Sequence, residues 1–234
     1  MPVDPAVSGA SAPSPLARPV RYAIFDLDGV LLDTEPIYTD ASNAIAARYG
    51  KKHDWSIKGN MIGRPAIDAA RYFVQALDLP LSADEYLAER AAYLDVHLGN
   101  AGEIPGAEAF TRDLRGRGIP LAVATSTGAV LFELKVRRHR PWFSIFSAIV
   151  CGDDARVLRG KPAPDIFLVA ARDMGADPAD CLVFEDSPYG VEAALAAGMQ
   201  VIALPDPHMD RARYAGALRI ARGFDECRSW DLGL

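Results

Sequence analysis

The chain is poor in cysteine, has no long apolar run and has no excess of positive charge. Its three cysteines, Cys151, Cys181 and Cys227, lie far apart. They show no Cys-x-x-Cys spacing, which excludes a zinc ribbon or a redox pair and points to a reducing, cytoplasmic setting. No stretch reaches the roughly 18 apolar residues that a membrane span needs. Lys and Arg number 25 against 31 Asp and Glu, a formal net charge of -6. No basic field is therefore available to neutralise a nucleic-acid backbone or an anionic membrane surface. Neither partner is expected, and the expected state is a monomer. A small anionic substrate stays compatible, because local cations can overrule the mean charge.

The 234 residues suffice for one domain plus a modest insertion, since domains run to about 100 to 200 residues. Residues 1–20, rich in Pro, Ala and Ser, lack the continuous apolar stretch of a secretory signal and read as a disordered leader. Asp4 and the scarcity of Arg argue against an organellar targeting role.

Short apolar runs recur at Tyr22–Asp26, Pro120–Thr125, Ser147–Cys151, Cys181–Phe184 and Gln200–Leu204. Each suits a parallel strand buried on both faces. Helical stretches between them close on glycines such as Gly118, Gly175 and Gly198. This alternation predicts an α/β fold, a Rossmann-like three-layer sandwich with a parallel sheet. Residues 33–104 interrupt the rhythm with helical patterns alone and read as a helical cap inserted after the first strand. Pro36 suits the first turn of one helix, a second pattern runs from Ala66 to Leu77, and Ser82 with Glu85 has capping-box spacing. The core then comprises 21–32 and 105–234, with Gly102–Gly106 and the crossing near Asp33 as hinge partners.

Chemistry-bearing residues gather at the predicted strand ends. In Phe25–Gly29 (FDLDG), Asp26 and Asp28 sit two apart, and in extended backbone such residues point the same way. Both carboxylates can address one substrate, the first as nucleophile and the second as acid then base. Alone, the pattern is equally an acidic strand-to-loop turn. Glu185 and Asp186 follow another apolar run, and converging carboxylates repel unless a hard cation such as Mg²⁺ sits among them. Thr125, Ser126, Thr127 and Gly128 follow a third strand and offer hydroxyls and backbone N–H groups to phosphate oxygens, or simply a helix cap. Lys161 stands in GKPAPD. That Gly-Lys is not a P-loop, because Ala155 lies five residues before Gly160 and Pro162 replaces the metal-binding Ser or Thr.

The order and placement of these four motifs resemble the haloacid dehalogenase superfamily, over nearly everything after residue 20. The resemblance implies that Asp26 attacks phosphorus and that Asp28 protonates the leaving oxygen and then activates water. It implies that Thr125, Ser126 and Lys161 hold phosphoryl oxygens, and that Mg²⁺ is bound by Asp26, the Asp28 backbone carbonyl, Glu185 and Asp186. An Asp at position 28 favours phosphate esters over dehalogenation or phosphonate cleavage. It leaves open a phosphomutase of the beta-phosphoglucomutase type, and a catalytically inactive binding module is a third reading.

Five stretches, DLDGVLLDTE, IGRPAIDAARYF, RRHRPWFSIFSAIVCGDD, GKPAPDIFL and LVFEDSPYGVEAALAAGMQVIALPD, are similar to a subgroup of pseudouridine-5'-phosphatases and plant-type glycerol-3-phosphatases. The implied substrate is pseudouridine 5'-phosphate, glycerol 3-phosphate or another small phosphorylated metabolite. TSTGAV and SPY depart from that subgroup. In capped members the cap reads the leaving group, so Gly63 and Arg64 are the expected substrate contacts, with a solvated basic helix start as the alternative. The Arg137–Arg140 cluster reads as a basic helix C-terminus.

Overall fold

The computed structural model describes residues 20–62 and 64–228. The expected leader therefore lies, except for Val20, outside the described residues, as does Gly63.

The first strand, β1 (Tyr22–Phe25), is followed by the short β2 (Leu32–Asp33) and by helices α1 (Glu35–Ala47), α2 (Trp55–Met61), α3 (Ala66–Ala76) and α4 (Ala83–His97). The chain returns through β3 (Gly102–Glu103) and α5 (Ala107–Gly116) to β4 (Leu121–Thr125). Then come α6 (Ala129–Lys135), α7 (Arg140–Phe143), β5 (Ala148–Cys151), α8 (Asp165–Asp173), β6 (Cys181–Glu185) and α9 (Pro188–Ala196). β7 (Gln200–Ala203), β8 (Arg219–Ile220) and α10 (Phe224–Arg228) complete the described chain.

Six strands form one parallel sheet in the order β5-β4-β1-β6-β7-β8. The central strands alternate between two apolar layers. Ala23, Phe25, Val123, Leu182 and Phe184 enter one cluster, whereas Ile24, Ala122, Ala124, Val183 and Val201 enter the other. Both faces are thus covered, as a doubly wound sheet requires. From β1 the chain builds outward through β4 and β5, then crosses to β6 on the other side. Strand order reverses at β1, and the crevice beyond the carboxyl ends of β4, β1 and β6 is the switch point where such sheets bind ligands.

Helices α1 to α4 form a separate cluster around Ile45, Phe73 and Tyr86, with the Tyr86 and Ser42 hydroxyls 2.8 Å apart. The Ser82–Glu85 capping box is formed at the start of α4. β2 and β3 pair antiparallel, Asp33 opposite Gly102, and fasten the two crossings of the chain side by side.

Helix α2 has no counterpart in the sequence reading, although Asp54 marks its start by accepting from Ser56 N at 2.9 Å. Trp55 from this helix stacks on His208, ring centroids 4.7 Å apart, and Arg213 donates to the Gly59 carbonyl at 3.2 Å. The Arg137–Arg140 run does not close a helix. α6 ends at Lys135, and Arg140 and Pro141 begin α7, where Arg140 pairs with Glu133. Among the described residues no helix is long and apolar enough to cross a membrane.

Candidate active site

Three strand ends deliver the site. Asp26 directly follows β1, Thr125 ends β4 and Glu185 ends β6. Glu185 is therefore a strand residue rather than a turn residue, 1% exposed, while Asp186 opens the turn. The backbone N–H of Asp26 donates to the Phe184 carbonyl at 3.0 Å and joins the two acidic motifs through the sheet ladder.

Lys161 reaches into this edge from the loop before α8. Its Nζ lies 2.6 Å from Asp26 Oδ1 and 2.6 Å from Glu185 Oε1, and 3.2 Å from the Ala124 carbonyl. Burial disfavours its charge, but Asp26 and Glu185 outweigh that and hold its pKa above the ordinary lysine value. For Asp26, burial dominates. The Lys161 ammonium opposes it, Glu185 and Asp28 add to it, and the carboxyl is raised to about 7. Asp186 is pushed well above the usual range by burial and by the neighbouring Glu185, Asp26 and Glu35 carboxylates.

Asp28 is handled separately. Its Oδ1 accepts from Thr34 Oγ1 at 2.5 Å and from Lys135 Nζ at 2.6 Å. Its Oδ2 accepts from Thr127 Oγ1 at 2.8 Å and from Lys135 Nζ at 2.7 Å. Burial would raise its pKa, but the Lys135 ammonium, with hydrogen bonds from Lys135, Thr34 and Thr127, outweighs it and keeps the group below the usual carboxylate range. Two aspartates two residues apart therefore hold two different lysines.

Close backbone approach makes the acidic edge compact. Gly29 has φ +77°, and a Cβ there would fall 2.4 Å from Asp186 Oδ2. At Gly190 in α9 a Cβ would fall 1.8 Å from Glu185 Oε1. Only glycine admits either contact. Glu185 Oε2 accepts from Ser187 N at 2.9 Å, Ser187 caps α9 by accepting from Gly190 N at 3.0 Å, and Tyr214 donates to the Asp186 carbonyl at 2.7 Å.

Of the remaining expected residues, Thr125 is buried and its Oγ1 accepts from Thr127 N at 3.1 Å, while Ser126 is exposed at the mouth. The N–H of Ala129 at the start of α6 is already taken by the Asp153 carboxylate at 3.0 and 3.1 Å. Arg64 stands over the Tyr72 ring, 5.1 Å from its centroid. With Arg71 and Tyr72 of α3 and Tyr189 of α9 it lines a cavity of about 360 Å³.

Among the described residues no three acidic, histidine or cysteine side chains already stand in metal-ligating array. The donor chemistry nevertheless suits a hard cation. Asp26 and Glu185 are buried and Asp186 half-buried, three crowded oxygen donors beside the Lys161 ammonium, and burial followed by the neighbouring carboxylates raises the pKa of both Asp26 and Asp186.

Sequence reasoning missed Lys135, Thr34, Tyr38 and Arg90, and it offered Thr127 to phosphate oxygens rather than to Asp28. Tyr38 of α1 lies under both the Arg90 guanidinium, at 4.7 Å, and Lys135 Nζ, at 5.2 Å. Arg90 Nε is buried without a hydrogen-bond partner. The legible signal was Lys135 itself, three residues after Phe132 and so on the buried face of α6, where a lysine needs a partner.

The fold and the site define a doubly wound α/β protein with its carboxylates and lysines gathered at the sheet's switch point. Residues 20–198 match the family of haloacid dehalogenase-like hydrolases. A Drosophila melanogaster protein named probable pseudouridine-5'-phosphatase is 43% identical over 93% of this chain and 95% of its own length. The (DL)-glycerol-3-phosphatase 2 of Arabidopsis thaliana is 46% identical over 82% of each. Among solved structures, CbbY from Rhodobacter sphaeroides in complex with phosphate superposes with a TM-score of 0.73 at 26% identity, covering 92% of this chain and 99% of that one. The chain belongs to the haloacid dehalogenase-like hydrolases, as the order of its strand-end motifs implied.

Proposed function

We propose that the protein is a Mg²⁺-dependent phosphomonoester hydrolase that works through a phospho-aspartate on Asp26 and acts on a small phosphorylated metabolite. The observation that carries this reading is the division of labour at the sheet edge: Asp26 is paired with Lys161 at 2.6 Å, while Asp28 is held by a different lysine on its other side. This division supports reading one carboxylate as the nucleophile and the other as the proton carrier.

In the first half-reaction an Asp26 oxygen attacks phosphorus, the P–O bond to the leaving group breaks, and Asp28, which Lys135 holds ionised in the free protein and which takes up a proton when substrate binds, gives that proton to the departing oxygen. In the second, Asp28 takes a proton from water as that water attacks the same phosphorus. The aspartyl–phosphorus bond breaks, and inorganic phosphate and free Asp26 result. Splitting the hydrolysis in two lowers each barrier. Lys161, Thr125 and Ser126 bind the phosphoryl oxygens, and Lys161 also keeps Asp26 oriented. Asp26, the Asp28 carbonyl, Glu185 and Asp186 would hold Mg²⁺, which would supply charge neutralisation for the phosphoryl group.

Residues 33–104 are read as a cap that recognises the leaving group above the core of 21–32 and 105–234. The cavity between α3 and Tyr189 supports Arg64 in this role, and Gly63 is its neighbour in the same turn. The names of the relatives favour pseudouridine 5'-phosphate or glycerol 3-phosphate as substrate. The test is a screen of phosphorylated metabolites with Mg²⁺, measuring inorganic phosphate. Release from one of these two supports the reading; isomerisation of a sugar phosphate without release replaces it with a mutase.

A further inference from the structure

Lys135 is the one charged residue among the largest fully buried side chains of the described chain. It comes from α6, 107 residues away from Asp28 in sequence, and the motif reading gives it no role. Its ammonium touches both Asp28 oxygens, at 2.6 and 2.7 Å, and Thr127 Oγ1 at 2.8 Å. Thr34 and Thr127 touch one oxygen each. An ammonium shared almost equally by both oxygens anchors the carboxylate end-on, while one hydroxyl on each oxygen, Thr34 on Oδ1 and Thr127 on Oδ2, fixes its plane. Lys135 also donates to Thr127 Oγ1, so it holds the Asp28 carboxylate directly and orients one of the two hydroxyls that set its plane.

Stability alone is a poor account of this pair. Burying an ammonium and a carboxylate costs about as much solvation as their attraction returns, so an apolar pair of similar volume is often as stable. A buried lysine fixed by the core, reaching the edge of a reactive site, is better placed to orient than to stabilise.

We propose that Lys135 is a positioning residue for the reaction, acting through Asp28 and without touching substrate. The proposal rests on the reading of Asp28 as the acid and base. It follows that losing Lys135 harms the steps in which Asp28 moves a proton and spares those in which it does not.

The experiment compares phenyl phosphate, whose leaving group needs protonation, with 2,4-dinitrophenyl phosphate, whose leaving group departs without it. The variants are Lys135→Met, Asp28→Asn and the double substitution. The value of kcat/KM covers every step through departure of the phenol. General acid catalysis contributes about 10²- to 10⁴-fold, so Lys135→Met should lower kcat/KM for phenyl phosphate by at least about tenfold and for the dinitrophenyl ester by less than about threefold. Adding Lys135→Met to Asp28→Asn should change either substrate by less than about twofold, because the residue through which it acts is already gone. Equal losses on both esters, an undiminished loss in the Asp28→Asn background, or no loss on phenyl phosphate overturns the proposal. Should Lys135→Met fail to fold, Lys135→Gln is subjected to the same comparison. A wild-type protein that hydrolyses neither ester, or an Asp28→Asn variant without a leaving-group trend, instead overturns the reading of Asp28 itself.

Discussion

Phe25 and Phe184 are register partners across β1 and β6, and their rings stack with centroids 4.7 Å apart and planes 3° from parallel. The residues that follow them, Asp26 and Glu185, consequently emerge side by side from the same sheet edge, each 2.6 Å from Lys161 Nζ. A packing contact in the core thus fixes the distance between two carboxylates that would otherwise repel.

The same compactness makes Gly190 sensitive. Replacing it by Ala puts a methyl group 1.8 Å from Glu185 Oε1, so the Glu185 carboxylate and with it Lys161 must move. Overpacking of this kind costs about 1 to 3 kcal/mol. The expected outcome for Gly190→Ala is a lowered Tm together with a loss of activity beyond what the lost stability explains, measured by thermal unfolding and kcat/KM at a temperature where the variant is fully folded. Unchanged activity would show that Glu185 is free to shift.

The cluster of Asp26, Glu185 and Asp186 around one lysine should make metal binding and protonation compete. Asp26 is raised from its ordinary 3.8 to about 7 in the metal-free protein, so folding favours its protonated form. Its contribution to stability is fully present below about pH 4 and is lost as pH rises through about 7. The metal-free protein should therefore lose Tm between about pH 4 and 7, with a shallower slope in Asp26→Asn. Mg²⁺ should restore Tm most at the upper end and release protons on binding near pH 7, about half of one from Asp26, read by calorimetry in buffers of different ionisation enthalpy. Chelation with EDTA should abolish activity and added Mg²⁺ return it.

Much of this was legible in sequence because it lies on strands buried on both faces. Tyr22–Asp26, Pro120–Thr125 and Cys181–Phe184 read as apolar runs, and each carried its polar residues to the carboxyl end, so both the sheet and its reactive edge followed from local pattern. What escaped depends on contacts distant in sequence. Lys135 meets Asp28 across 107 residues, and nothing in the pattern of α6 names its partner. Thr34 carries no local signal and Thr127 reads as a phosphate-binding or cap residue, yet Asp28 accepts from both. Helix α2 was missed because its seven residues, WSIKGNM, carry an interior Gly and bury no side chain fully. Its place is set by Trp55 against His208, a contact no local periodicity encodes.

Recognition of the leaving group should be separable from recognition of phosphate. Arg64 lines the cavity between α3 and Tyr189, whose lining does not include Asp26 or Lys161. Loss of one charge-assisted contact costs roughly 1.5 to 3 kcal/mol, or about 10- to 150-fold in kcat/KM. Arg64→Ala should show this loss on the preferred metabolite and little on a generic aryl phosphate. Equal losses on the two would assign Arg64 to phosphate binding or to folding of the helical insert.

The central claim is that phosphate passes through Asp26, and acid-quenched mass spectrometry of the protein caught during turnover tests it most directly. The expected result is one added phosphoryl group on the peptide carrying Asp26, assigned by fragmentation to that residue rather than to Asp28. The label should be absent in Asp26→Asn, whose turnover should fall by several orders of magnitude. A turning-over enzyme with no labelled peptide, a label on Asp28, or an Asp26→Asn variant within about tenfold of wild type would contradict the account.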